Sequence, residues 1–249
     1  MSDPLSIATD TAREAGQLLR DHFFAPREVN EFAAHDIKLE LDVRSQDLIE
    51  SRLIGAFPDH AFLGEESITG QTSSEWRWVV DPIDGTVNYF YGIPHFCISI
   101  GLQRGEEMVL GVIYDPMRDE LWQAERGSGT RLNGRPVRAS QRTDIGETIV
   151  TVGFAKTATT INMGLPLLQK LAYKVRKCRM MGSAALDMAY VACGRLDAYI
   201  EQGISLWDMA AGIVLVEEAG GQMQIEERSD APGKFSVIAS SGLIDFTNV

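Results

Sequence analysis

The sequence predicts an α/β protein in which helices and sheets alternate in layers (an α+β layered arrangement). Three observations carry that expectation. Apolar residues recur at helical spacing in two segments between residues 3 and 57. Short β-branched and aromatic runs, punctuated by turn residues, then fill the region from about 76 to 140. Beyond it, strand-like and helix-like segments alternate towards the end of the chain. With 249 residues there is enough chain for one large unit or two intimately packed halves. We expect one unit over 1–249, with an N-terminal α+β half over 1–140 and a C-terminal α/β half over 141–249.

The helical expectation begins at Asp3-Pro4, an N-cap carboxylate followed by proline at the first turn. Leu5, Ala8, Ala12, Ala15, Leu18 and Leu19 then share a face as far as about Phe24. Residues 26–41 are mixed in character. A second helix carries Val43, Ile49, Leu53 and Phe57 on one face, and Pro58-Asp59-His60 stops it. Ala61-Phe62-Leu63-Gly64 reads as a strand that delivers Glu65-Glu66-Ser67 at its end. Trp76-Arg77-Trp78-Val79-Val80 reads as a buried strand, and Asp81-Pro82-Ile83-Asp84-Gly85-Thr86 follows where the backbone is expected to turn. Pro82 fixes φ and Asp84-Gly85 favours a tight bend, so that loop should be stiff.

After an aromatic, turn-rich stretch over 87–94, residues 96–102, 108–114 and 120–124 read as successive strands, and Leu132-Asn133-Gly134-Arg135 as a hairpin turn. Gly127-Ser128-Gly129-Thr130 resembles a phosphate loop only superficially, because neither G-x-G-x-x-G nor a following G-K-[ST] is present. In the second half, 149–152 is a strand. Gly182-Ser183-Ala184-Ala185 opens a helix with small residues whose free N–H groups could face an anion. Residues 196–201 form a strand expected to end in Glu201. A helix from Trp207 runs to Ala219, where Gly220-Gly221 ends it, and 235–239 is a closing strand.

The composition is ordinary for a globular chain, but the charge is not neutral: the formal net charge is −12. An acidic surface argues against non-specific nucleic-acid binding, which needs clustered Lys and Arg. It also means that an anionic substrate would require something positive in the site. Cys97, Cys178 and Cys193 are scattered and odd in number, so neither a disulfide framework nor a zinc site is indicated. Residues Met1-Ser2-Asp3-Pro4 lack the basic and apolar regions of a signal peptide, and no uncharged apolar run approaches the ~20 residues of a membrane span. A cytoplasmic protein with no membrane partner is expected.

Glu65, Asp81, Asp84 and Asp208 each sit at the end of a strand or the start of a helix. Two successive strand ends that terminate in acids suggest a shared site, although Asp208 alone reads as a cap favoured by the helix dipole. All-oxygen ligation selects hard cations, Mg²⁺ above all. Two such ions about 4 Å apart clamp the attacking and leaving oxygens of a phosphoryl transfer, which would also offset the chain's negative charge.

These motifs carry a resemblance. Gly64-Glu65-Glu66-Ser67, the run from Trp78 through Asp81-Pro82-Ile83-Asp84-Gly85-Thr86 to Asn88-Tyr89, and Trp207-Asp208-Met209-Ala210-Ala211-Gly212 with Glu218-Ala219-Gly220-Gly221 are similar to signatures of the inositol monophosphatase family. Arg179-x-x-Gly182-Ser183-Ala184-Ala185 fits as well. The resemblance spans most of the chain and implies the α-β-α-β-α sandwich shared with fructose-1,6-bisphosphatase, two or three Mg²⁺ ions, sensitivity to lithium, and usually a homodimer. It implies that Glu65, Asp81 and the Ile83 carbonyl ligate one metal and that Asp81, Asp84 and Asp208 ligate a second. A third, weaker ion would lean on Glu65 through waters. Thr86, paired with Asp42, would position or deprotonate the attacking water. Asp84, Gly182, Ser183, Ala184 and Glu201 would contact the substrate's phosphate and hydroxyls, with Asp208 beside them and the N–H groups of Gly85 and Thr86 offered to the phosphate. The D-x-x-D spacing disfavours a covalent aspartyl intermediate, which would use D-x-D.

Two departures stand upstream: Glu31 replaces a lysine that many members carry, and Lys38-Leu39 replaces a valine-threonine pair after Asp36-Ile37. Within the family, Ile83 and Asn88-Tyr89 favour the inositol-phosphate type. Inositol monophosphate, fructose 1,6-bisphosphate and histidinol phosphate remain open as substrates, as does a regulatory binding protein built on the same fold. Lys174, Arg176, Lys177 and Arg179 could hold a second phosphate. A solvated strand edge is the preferred reading of that cluster.

Overall fold

A computed structural model describes residues 3–25, 29–32, 37–70, 74–154 and 157–247. Helix α1 (Pro4–His22) starts as its cap residue demands, with the Asp3 carboxylate accepting from the Ser6 N–H at 3.1 Å. Ala8, Ala12, Ala15 and Leu19 form its buried stripe. Two short strands, β1 (Val29–Phe32) and β2 (Ile37–Leu39), pair antiparallel before α2 (Glu40–Ala56). That helix begins three residues before Val43, because the Asp42 carboxylate reaches back to the Leu39 N–H at 2.7 Å and closes the first turn.

The first sheet has eight strands. Its members are β3 (Ala61–Gly64), β4 (Ile68–Gly70), β5 (Trp76–Asp84), β6 (Cys97–Arg104), β7 (Glu107–Asp115), β8 (Glu120–Glu125), β9 (Arg131–Leu132) and β10 (Arg135–Pro136). Their spatial order is β10-β9-β8-β7-β6-β5-β3-β4, antiparallel except for the β3–β5 pair. A five-residue helix, α3 (Thr86–Phe90), follows β5. The β9–β10 hairpin turns through Asn133 and Gly134, both at positive φ, as a two-residue I′-type turn requires. The second sheet comprises β11 (Ile149–Val152), β12 (Lys177–Arg179), β13 (Ala198–Ile204), β14 (Gln222–Glu227) and β15 (Phe235–Ser240), in the order β12-β11-β13-β15-β14. Three helices complete the second half: α4 (Ala158–Lys174), α5 (Ala184–Ala192) and α6 (Leu206–Glu218).

Side-chain alternation along the strands sorts the core into three layers of contact. On β5, Trp78 and Val80 pack with α1 and α2, while Val79 faces the other way. On β13, Ala198 and Ile200 face Leu171 of α4, while Tyr199 joins the inner cluster. Helices α5 and α6 fill the space between the sheets with Leu186, Met188, Val191, Met209, Val214 and Leu215, all essentially buried. The result is the expected α-β-α-β-α sandwich: α1 and α2, the first sheet, α5 and α6, the second sheet, then α4.

The middle layer is thin because small residues meet there. Gly101 and Gly111 face each other across β6 and β7. A Cβ on Gly111 would lie 2.4 Å from the Ala211 carbonyl oxygen of α6. The α6 backbone therefore rests directly on the sheet, and this contact fixes where its N-terminus points.

The sequence did not anticipate α4, whose pattern is interrupted by Gly164 and Pro166, or strands β1, β2, β4 and β14. Two boundaries also differ. Strand β5 continues through Asp81 to Asp84 rather than turning at Asp81, and β13 continues past Glu201 to Ile204, where β15 still pairs with it. No helix among the described residues is long and apolar enough to cross a membrane.

Candidate metal centre

The acids of the hexapeptide owe their placement to an irregularity. Residues three apart on a regular strand face opposite sides of a sheet. Between Asp81, paired with Ser99, and Asp84, paired with Cys97, β5 carries one residue more than β6. Pro82 lies in that bulge, where a missing N–H costs no ladder bond. The extra residue reverses the alternation, and Asp81 and Asp84 both turn towards the middle layer. The first turn of α6 delivers Asp208 to the same place. One carboxylate oxygen from each of Asp81, Asp84 and Asp208 lies within 4.8 Å of the others.

Each carboxylate is oriented by a further contact. Asp81 Oδ1 accepts from the Ile83 N–H at 3.0 Å. Asp84 accepts from the Ser183 hydroxyl at 2.5 Å, the Ala185 N–H at 2.8 Å and the Ala184 N–H at 3.1 Å. The Cys97 thiol, held protonated by burial, lies 3.6 Å from the same carboxylate. The anion expected at the N-terminus of α5 is thus Asp84 itself. Asp208 Oδ2 accepts from the Ser205 N–H at 2.6 Å, so the cap role exists, and the carboxylate serves the cluster as well.

Burial pushes the Asp81 carboxyl well above the usual carboxylate range, and the charges of Glu65, Asp84, Asp208 and Asp42 add to the shift. Burial also raises Asp84, against which its hydrogen bonds to Ser183, Ala185 and Ala184 pull downwards. A cation among the three carboxylates would relieve this crowding. The donor set fits one, being carboxylate oxygen throughout.

Glu65 stands outside the triangle, exposed at the end of β3. It is nevertheless near enough to act on Asp81, because β3 runs parallel to β5 and the Glu65 N–H donates to the Val80 carbonyl at 3.2 Å. Gln46, buried on α2, shapes this loop: its side chain accepts from the Glu66 N–H at 2.9 Å and donates to the Ser67 hydroxyl at 2.8 Å. Thr86 donates to the Ile83 carbonyl at 2.9 Å and stands 3.4 Å from Asp42 Oδ1, so hydroxyl, carbonyl and buried carboxylate form one group.

Gly85 has φ +96°, and a Cβ there would meet the His95 carbonyl at 3.0 Å and the Gly182 carbonyl at 3.2 Å. Asn88 spans the same gap, its amide lying 2.8 Å from both the His95 and Met181 carbonyls. The hexapeptide and the Gly182–Ser183–Ala184 turn are therefore stitched together. Glu201 sits on the inner face of β13 rather than at its end, accepting from the Tyr199 hydroxyl at 2.5 Å.

Gln46 and Cys97 carry no motif that would have marked them, since their roles arise from partners far away in sequence, and Asn88, although inside the motif run, gave no local sign of its bridge to Met181. The Gly127–Gly129 loop does bind an anion, but it is the protein's own: Gly127 and Gly129 N–H groups donate to the Glu218 carboxylate at 3.0 and 2.9 Å. Lys174, Arg176, Lys177 and Arg179 are exposed on and beside β12, which is an edge strand. Asp36 lies outside the described residues, as do the side chains of Glu31 and Lys38.

Comparison with known proteins agrees with this arrangement. The model of the inositol monophosphatase family matches residues 1–245. The chain is 40% identical over 231 residues to the Nus factor SuhB of Xylella fastidiosa, covering 92% of this chain and 84% of that one. It is 39% identical over 224 residues to inositol monophosphatase 1 of Solanum lycopersicum, covering 87% and 82%. Among solved structures, the extragenic suppressor protein suhB of Bartonella henselae superimposes with a TM-score of 0.89 at 35% identity, covering 97% of this chain and 95% of that one.

Proposed function

Because the chain belongs to the inositol monophosphatase family, we propose that it is a Mg²⁺-dependent phosphomonoester hydrolase acting on a small polyol or sugar phosphate, inositol monophosphate first among them. The observation that carries this reading is the convergence of Asp81, Asp84 and Asp208 from two elements distant in sequence to within 4.8 Å. In this reading Glu65, Asp81 and the Ile83 carbonyl hold one Mg²⁺, Asp81, Asp84 and Asp208 a second, and a third leans on Glu65. Bound there, the ions supply positive charge to the phosphoryl group and a water acidic enough to attack phosphorus in line.

The protein's own groups do the remaining work. With the Ile83 carbonyl, its present acceptor at 2.9 Å, given over to a cation, the Thr86 hydroxyl would turn its proton to Asp42 Oδ1, 3.4 Å away, and accept a hydrogen bond from the attacking water. Asp84, held by Ser183 and by the N–H groups of Ala184 and Ala185, is read as lining the substrate's phosphate and hydroxyls together with Gly182, Ser183, Ala184, Asp208 and the N–H groups of Gly85 and Thr86. Glu201, an acceptor, suits substrate hydroxyls. The two halves, 1–140 and 141–249, form one unit with the site at their seam, and the active species is a cytoplasmic homodimer.

The test is Mg²⁺-dependent phosphate release from inositol 1-phosphate, fructose 1,6-bisphosphate and histidinol phosphate side by side, with Asp81→Asn as control. Turnover that the variant abolishes supports the reading and ranks the substrates. A second reading, a regulatory binding protein on this fold, is favoured by the similarity to proteins named Nus factor SuhB. Mg²⁺-loaded protein that releases phosphate from none of the three would turn the choice to it.

A further inference from the structure

Tyr199 and Glu201 are two residues apart on β13, so both face the middle layer. Tyr199 is 1% exposed, and its hydroxyl donates to Glu201 Oε2 at 2.5 Å. The carboxylate is confined from a second side. It lies across Gly153, where a Cβ would fall 1.8 Å from Oε2 and 2.5 Å from Cδ. Gly153 cannot retreat, because it follows β11 and its N–H donates to the Ile200 carbonyl at 2.9 Å. The absence of a side chain at residue 153 thus leaves a slot one carboxylate wide, and the phenol closes that slot.

We propose that Tyr199 is a positioning residue that locks Glu201 in this slot and thereby sets the site's preference for phosphates of polyhydroxy alcohols over esters without hydroxyls. The inference rests on the phosphatase reading above. A carboxylate offers about four lone-pair sites, so one bond from the phenol fixes its plane without exhausting its capacity to accept. A substrate hydroxyl then meets an acceptor already held in place, and the cost of ordering a flexible Glu at the moment of binding is avoided. The donor role suits the phenol. Burial and the charges of Glu201, Asp187 and Asp208 all favour its protonated form, and these are the acids that face it from β13, α5 and α6. A hydroxyl-free ester draws no benefit from Glu201, so its turnover does not depend on Tyr199.

The experiment uses the full chain loaded with Mg²⁺ and two probes, inositol 1-phosphate and 4-nitrophenyl phosphate. Tyr199→Phe is expected to raise KM for inositol 1-phosphate about tenfold, the loss of one well-placed acceptor interaction. Its kcat, and both parameters for the nitrophenyl ester, should stay within about twofold. Gly153→Ala, which displaces the carboxylate while sparing the phenol, should give the same split. Tyr199→Phe combined with Glu201→Gln should be no worse than Glu201→Gln alone. Equal losses on both probes, a fall confined to kcat, or additive effects in the double variant would overturn the proposal and leave Tyr199 as packing. If the wild-type chain hydrolyses neither probe, this inference falls, and if it also releases no phosphate from fructose 1,6-bisphosphate or histidinol phosphate, the phosphatase reading falls with it.

Discussion

Replacing Asp81 by Asn should stabilise the metal-free protein while abolishing its response to Mg²⁺. The Asn carbonyl keeps the bond from the Ile83 N–H, so the change removes charge with little change in shape. Two like charges within 4.8 Å repel by about 3 kcal/mol at an effective dielectric of about 20. Asp81 has two such neighbours in the triangle, and Glu65 and Asp42 act in the same direction. The penalty has a ceiling, because the group can take up a proton instead. Doing so at pH 7, from an ordinary value near 3.9, costs about 4 kcal/mol. A gain of about 2–4 kcal/mol is therefore expected, which for a chain of this size is roughly 5–10 °C in melting temperature.

The pH dependence follows from the direction of the shift. Below about pH 4 the folded and unfolded chains both hold the Asp81 proton, and wild type and variant should melt alike. The gap opens as pH rises, because the unfolded chain then ionises freely while the folded chain resists. Thermal melts in chelator, from pH 4 to 8, measure this directly, and parallel melts in excess Mg²⁺ should raise the wild type alone. A variant that melts below wild type in chelator at pH 7 would refute the reasoning. Asp81 would then hold the bulge together, and crowding of carboxylates would not be the dominant effect.

Further outcomes are expected elsewhere. Glu218→Gln can accept only one of the two bonds from Gly127 and Gly129 and sets an amide N–H against the other donor, so urea unfolding should show a loss of about 1–2 kcal/mol. Gly111→Ala places a methyl 2.4 Å from the Ala211 carbonyl. Overpacking of this kind costs about 1–3 kcal/mol, and because the strain falls on α6, Mg²⁺ affinity measured by calorimetry should fall with it. Changing Lys174, Arg176, Lys177 and Arg179 together to Gln should leave KM for fructose 1,6-bisphosphate within about twofold, as expected of a solvated edge whose charges guard against pairing. A tenfold rise would instead make the cluster a second phosphate site.

What the sequence disclosed and what it withheld divide along physical lines. Helix α1 and strands β6 to β8 were legible because burial imposes a period on residues close together, and the period survives in the letters. Glu65, Asp84 and Asp208 were legible because each ends or begins an element, and Asp81 because Asp-Pro after a buried run reads as a turn. The bulge at Pro82 was not, since Asp-Pro reads equally as a turn and only the pairing with Ser99 and Cys97 shows that the strand goes on. Helix α4 was hidden by Gly164 and Pro166, whose weak helical preference is overridden by the packing of Leu171 against β11 and β13. The small residues opening α5 announced an anion, but nothing local could say that the anion is a side chain from the other sheet. Tyr199 looked like an ordinary strand residue, because Gly153 is distant in sequence.

The grip of α5 on Asp84 has a bearing on how the molecule comes into being. These contacts join residues 99 to 101 positions apart, and Asp208 arrives later still. Until residues 183–185 and 208 have been synthesised, Asp81 and Asp84 lack the donors and the third acid that complete the cluster. An incomplete chain presents two crowded carboxylates and no cage. The site is therefore complete only in a molecule whose second half is in place, and tight cation uptake during refolding would report the joining of the two halves at Asp84 and Asp208.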